Sequence, residues 1–176
     1  GKKAGKRKIW YQLKPDGDGS WVVDDVYLSK SDEKNNNSVG GRVAVLLAMR
    51  SSLDAWKLGE PDRILAVATP EFSRALSELS PAHLQRFAKQ VAGEVPEKAQ
   101  PTPNERIGDE TSEVRVSRGL QSELALKFRK VDGVWKLDDL QVESRRTGDG
   151  IASARDVTSA MSAALAFQNA YRSSDK

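Results

Sequence analysis

Apolar residues along this chain recur at two periods, and each change of period marks an element. Ile9 to Lys14 alternates apolar with polar, a turn-rich stretch follows, and Trp21 to Leu28 is again apolar-rich, which predicts a β-hairpin. Leu46, Met49, Leu53 and Trp56 then fall at spacings of three and four, one stripe of an amphipathic helix, with Gly59 placed as its left-handed cap. Pro61 opens a short second helix through Ile64, Leu65 and Val67, and Thr69-Pro70 and Ser80-Pro81 repeat the cap-plus-proline start. Phe72, Leu76 and Leu79 form the inner face of the third helix; Leu84, Phe87, Ala88 and Val91 form that of the fourth, which stops at Gly93. From Glu94 to Gly108 three prolines and little periodicity predict a long loop carrying one short edge strand. Val114 and Val116, then Leu124, Leu126 and Phe128, then Val134 to Val142 predict three strands, with Asp138-Asp139 breaking the period of the last at a bulge. Helices first and an antiparallel sheet afterwards is the α+β pattern, helices packed on one face of the sheet. The expected core is Leu53, Trp56, Phe72, Leu84, Phe87, Leu126, Phe128 and Trp135.

The hairpin chemistry occurs twice. Asp18-Gly19-Ser20-Trp21-Val22-Val23-Asp24-Asp25 returns as Asp132-Gly133-Val134-Trp135-Lys136-Leu137-Asp138-Asp139, with Trp21 and Trp135 114 positions apart. A polar, Gly-containing connector follows each copy (Ser31 to Gly41, Arg145 to Gly150), and then an amphipathic helix. The helices align less firmly: an offset of 114 sets Val157, Met161 and Phe167 opposite Val43, Leu47 and Leu53, whereas 115 pairs Ala55-Trp56 with Ala170-Tyr171. Tandem duplication accounts for the shared order; two unrelated hairpins with similar turns are the alternative. On the duplication reading, residues 1–8 are a basic arm, 9–30 a hairpin from a preceding repeat, 31–41 a linker, 40–146 a complete unit, 147–152 a linker and 153–176 the first helix of a following repeat. The chain is then expected to be a piece of something longer. A lone hairpin and a lone helix are each marginal in water. Their apolar faces are therefore expected to be buried by other repeats of the same protein, or in a homo-oligomer formed through the 9–30 hairpin and the 153–172 helix.

Composition narrows the chemistry. The 28 Lys and Arg against 25 Asp and Glu give a net charge of only +3, and Lys2, Lys3, Lys6, Arg7 and Lys8 account for more than that excess. The body is slightly acidic and its basic arm holds no aromatic before Trp10, so nucleic acid is not an expected partner. With no Cys and a single His, disulfides, thiol nucleophiles and Cys- or His-cluster metal sites are excluded, and no cofactor is expected. The 38% hydrophobic and 30% charged fractions are those of an ordinary globular domain. No run approaches the roughly 18 apolar residues of a membrane helix and no signal pattern is present, which leaves localisation open.

Ala55-Trp56-x-x-Gly59-Glu60-x-Asp62-x-Ile64-Leu65 resembles the junction between helices one and two of the nuclear transport factor 2-like superfamily, and the closing hairpin with Asp132-Gly133-x-Trp135 resembles its last two strands. The resemblance spans nearly the whole unit and implies a cystatin-like α+β cone, in which helices and a curved antiparallel sheet enclose a conical pocket. The superfamily holds isomerases, dehydratases, cyclases and non-catalytic modules, so the resemblance implies fold and not function. Its ketosteroid isomerase branch carries a tyrosine in helix one and acids on the sheet. Here the tyrosine position is Ser52, the acidic strand position falls near Leu124, and the stretch that should hold the general base reads as helix.

Three groups remain as catalytic candidates. Asp138 and Asp139 are adjacent, so a regular strand would aim them at opposite faces. Only a bulge would bring them together, and the recurrence of the pair as Asp24-Asp25 favours a structural role in that kink. His83 has the basicity for proton transfer near neutral pH but no acidic partner at helical spacing. Asp109, Glu110 and Glu113 have the oxygen chemistry for Ca²⁺ or Mg²⁺ but no matching loop spacing, so no metal site is expected. A ligand pocket, if open, would be walled by Trp56, Phe128 and Trp135 and would suit a small apolar ligand. Two functions stand on the sequence. One is a non-catalytic repeat module for assembly or small-ligand binding within a larger protein. The other is an isomerase, dehydratase or hydrolase using an acidic residue in the cone pocket; the state of that pocket separates them.

Overall fold

A computed structural model describes residues 7–30, 38–102, 105–144 and 153–174. The first six residues of the basic arm, the connector residues 31–37 and the second connector, 145–152, lie outside the described residues. In chain order the elements are β1 (Arg7–Pro15), β2 (Trp21–Lys30), α1 (Val39–Leu58), α2 (Pro61–Val67), α3 (Pro70–Ser77), α4 (Pro81–Ala92), β3 (Arg106–Ile107), β4 (Thr111–Arg118), β5 (Ser122–Val131), β6 (Val134–Ser144) and α5 (Ala154–Ser174).

Hydroxyl caps set most of the helix starts. The Oγ of Ser38 accepts from the Gly41 N–H at 2.7 Å, and Thr69, Ser80 and Ser153 do the same for the N–H groups of Phe72, His83 and Asp156. No side chain caps α2; Pro61, whose own N–H is missing, stands at its first position. Gly59 ends α1 at φ 69°, its N–H bonded to the Ala55 carbonyl, as the sequence led one to expect. A Cβ on Gly59 would lie 3.2 Å from both the Gln85 Cγ and the Lys89 Cε, so glycine also lets the end of α1 meet α4.

The strands form two antiparallel sheets, β1-β2 and a meander β3-β4-β5-β6, neither of them closed. Asp132 and Gly133, both at positive φ, make the tight turn between β5 and β6. The expected bulge in β6 is present: Lys127 faces Asp139 and Phe128 faces Leu137, which leaves Asp138 as the additional residue. β2 bulges at the same place in its motif, Gln12 facing Asp25 and Leu13 facing Val23, with Asp24 left over.

The architecture is mixed α+β. Helix α1 packs on α2, α4 and β6, while α5 packs on α3 and β6. All eight expected core residues fall in one buried cluster with Val45, Met49, Ile64, Leu137 and Leu140 among others. Trp56 is its aromatic centre, stacked on Phe72 at 6.3 Å and edge-on to Phe87 at 5.9 Å. No described helix is long and apolar enough to cross a membrane.

One boundary differs from the sequence reading. Gly40-Gly41, expected to close the 31–41 linker, lie inside the first turn of α1. The cause is close approach: a Cβ at Gly41 would stand 2.9 Å from the Ser38 Oγ, and one at Gly40 3.1 Å from the Asp25 carboxylate, so these glycines admit the groups that cap the helix.

Candidate functional site

The bulge in β6 does what a regular strand could not: it brings both carboxylates of the Asp138-Asp139 pair to the start of α5. Asp139 Oδ1 accepts from the Leu140 N–H at 2.9 Å and from the Arg155 N–H at 3.3 Å. Asp138 Oδ1 accepts from the Thr69 hydroxyl at 2.9 Å and lies 3.1 Å from the Arg129 guanidinium and 3.2 Å from that of Arg155. Arg155 also donates to the Asp138 carbonyl at 2.6 Å, and its guanidinium sits 5.8 Å from the centre of the Phe72 ring. The Thr69 N–H donates to the Leu137 carbonyl at 2.8 Å. One bulged dipeptide thus ties the last strand to the starts of two helices.

Asp25 is placed in the same way at the other hairpin. Its Oδ1 accepts from the Val26 N–H at 2.7 Å and from the Gly40 N–H at 2.9 Å, while Oδ2 accepts from the Ser38 hydroxyl. These bonds favour the ionised form, the Ser38 hydroxyl most and the Gly40 N–H next, and hold the Asp25 carboxyl below its ordinary value. The carboxylate also meets the positive end of α1. In both hairpins the second Asp accepts from the next residue's N–H and from an N–H in the first turn of the following helix. The first Asp differs: Asp24 faces outward, 2.7 Å from the Lys14 Nζ. Counted from the capping serines, Ser38 and Ser153, the helices align at 115, so that Ser52 matches Phe167 and Trp56 matches Tyr171.

The other candidates lie apart from this pair. His83, half-buried on α4, bonds through Nδ1 to the Ser80 Oγ at 2.6 Å and lines a cavity of about 430 Å³ between α4, β4, β6 and α5. Arg118 stands at the same cavity with its guanidinium spent on the Val91 and Gln90 carbonyls. Trp135 lines a second cavity, of about 440 Å³, against Ala44, Ala48, Ser51 and Ser52 of α1. Trp56 and Phe128 line neither; both are packed in the core, and the Trp56 indole N–H has no acceptor there. Among the described residues no three His, Asp or Glu side chains gather closely enough to hold a metal ion. Of the residues that complete the two aspartate sites, the sequence marked Thr69 only as a helix cap and did not single out Arg155 or Ser38. The signal for Ser38 was a serine standing at nearly equal distance behind each Asp pair. Searches against protein-family models, curated proteins and solved structures find no match to the chain.

Proposed function

We propose that the chain is a non-catalytic assembly module, a nuclear transport factor 2-like unit over residues 40–146 set in a tandem repeat. The observation that carries this reading is the joint built twice from Trp-x-x-Asp-Asp. In each copy a bulge at the first Asp frees the second to accept from the first turn of the next helix. A joint of that kind fixes the angle between a hairpin and the helix that follows, which a repeat needs at every boundary and an isolated enzyme does not.

Positions on the two helices add support. Ala154 and Thr158 of α5 are buried against the unit, and the α1 residues that match them from the caps are Val39 and Val43. With Leu47 these form an exposed apolar stripe, which a preceding unit would cover as this one covers α5. The order of layers, helices on one face of an open antiparallel sheet, agrees with the family resemblance. Engagement of Asp138 and Asp139 by Thr69, Arg129 and Arg155 favours a structural role for them over an acid-base one. A small apolar ligand would sit in the cavity beside α5, on Phe87, Val91 and Leu140.

A fusion tests the reading. Residues 1–152 followed directly by 38–174 put Ser38 where Ser153 stands and give two units in one chain. Coupled repeats should unfold together, at a urea midpoint above that of the single-unit chain. Two units that melt separately at the single-unit midpoint would contradict the proposal.

A further inference from the structure

We propose that the outer face of α5 in one copy docks on the apolar face of the β1-β2 hairpin in a second copy, and reciprocally, closing a homodimer. The inference rests on the repeat reading above, because the complete unit supplies the template for what covers such a hairpin.

The two hairpins match pair by pair. Directly opposed residues of an antiparallel pair share a face. On β1-β2 the opposed pairs are Ile9 with Leu28, Tyr11 with Val26, Leu13 with Val23 and Pro15 with Trp21. On β5-β6 they are Leu124 with Val142, Leu126 with Leu140, Phe128 with Leu137 and Lys130 with Trp135. In the second set Leu124, Leu126, Phe128, Leu137, Leu140 and Trp135 are buried in the core, Trp135 only 8% exposed, whereas Trp21 in the first is 67% exposed. An apolar two-stranded sheet of this kind, open on that face, is a surface built for a partner.

The template names the partner. In the complete unit α1 packs on β6, and its Ala44, Ala48, Ser51 and Ser52 line one cavity with Trp135, with Trp56 in the same core. Counted from the capping serines, the matching residues of α5 are Ser159, Ala163, Ala166, Phe167 and Tyr171. All five are exposed, Phe167 by 75% and Tyr171 by 65%. The opposite side of α5 is already used on its own unit through Ala154, Thr158, Met161 and Leu165. The helix therefore has one face engaged and a second that repeats the small-residue and aromatic pattern of α1. Within a single chain the two faces stay uncovered, so a second copy is the source of the missing helix. Reciprocal docking makes the contact twice about a two-fold axis, which helps it reach the roughly 1,000 Å² that a stable interface needs. Trp21, Phe167 and Tyr171 are its aromatic anchors.

Sedimentation velocity of the whole chain over a micromolar dilution series tests this with two variants. Phe167→Asp with Tyr171→Asp disables the helix face, and Leu13→Asp with Val23→Asp disables the hairpin face; all four sites are exposed, so the unit should still fold. The unaltered chain is expected to be a dimer that dissociates on dilution, and each double variant should self-associate at least about tenfold more weakly. An equimolar mixture of the two variants restores one of the two contacts, an intact helix on an intact hairpin, and should associate more tightly than either variant alone and more weakly than the unaltered chain. A monomeric unaltered chain overturns the proposal, as does a mixture that associates no more tightly than either variant alone. A double variant that still dimerises like the unaltered chain overturns it too, since like faces would then be pairing. The two readings fail separately: a monomeric chain whose two-unit fusion still unfolds cooperatively would remove the dimer and leave the repeat.

Discussion

Two tryptophans of the same motif meet opposite fates, and the contrast has a cost that can be measured. Trp135 is 8% exposed and packs in the core, so Trp135→Ala should cost about 3–5 kcal/mol in urea unfolding. Trp21→Ala, followed in a chain dilute enough to be monomeric, should cost below about 0.5 kcal/mol. Equal losses would mean that the hairpin is buried after all. Asp25 supplies a pH signature of its own. Its folded pKa lies below its value in the unfolded chain, so its stabilising effect is full above the ordinary 3.8 and fades as the pH falls through the folded pKa. The Gly40 amide resonance reports on that carboxylate directly and should titrate with a midpoint below 3.8. A midpoint at or above 3.8 would mean that Ser38 and Gly40 do not hold the ionised form.

Elements were legible in the sequence wherever one short-range signal fixed them. Thr69-Pro70, Ser80-Pro81 and Gly59 marked helix ends because capping involves groups only three or four residues apart. Alternation marked β4, β5 and β6 because one face of that sheet is buried. What escaped were groups that meet across the fold. Gly40-Gly41 read as linker because the carboxylate that draws the chain into a helix there belongs to Asp25, on the preceding strand. Arg155 escaped likewise, being an ordinary surface arginine until the β6 bulge turns Asp138 and Asp139 toward it. The bulge itself was legible, from the break in period at Asp138-Asp139, but not which helix it would serve. Gly59 permits a clean check on the α1-α2 junction. Gly59→Ala forces a left-handed residue and a 3.2 Å approach to Gln85 and Lys89, and should cost about 1–2 kcal/mol by urea or thermal unfolding. An unchanged stability would mean that α1 does not end in that conformation.

At the scale of the molecule, the β1-β2 hairpin is joined to α1 as the β5-β6 hairpin is joined to α5: each closing strand bulges at the first Asp of its pair, and the second Asp accepts from an N–H in the first turn of the following helix. Removing the second carboxylate should loosen one joint and spare the core. In Asp139→Ala the Arg155 amide should lose protection from hydrogen exchange while Leu126 and Leu137 keep theirs, and in Asp25→Ala the Gly40 amide should lose it. Global loss of protection in either variant would make the aspartate a core residue instead. The most direct test is a set of backbone residual dipolar couplings on the chain in a weakly aligning medium. If the account holds, β1-β2 and α1 share one alignment tensor with the central unit, and the hairpin-to-helix angle at Asp25 matches the one at Asp139. A hairpin with its own, weaker alignment, or two joints at unrelated angles, would contradict it.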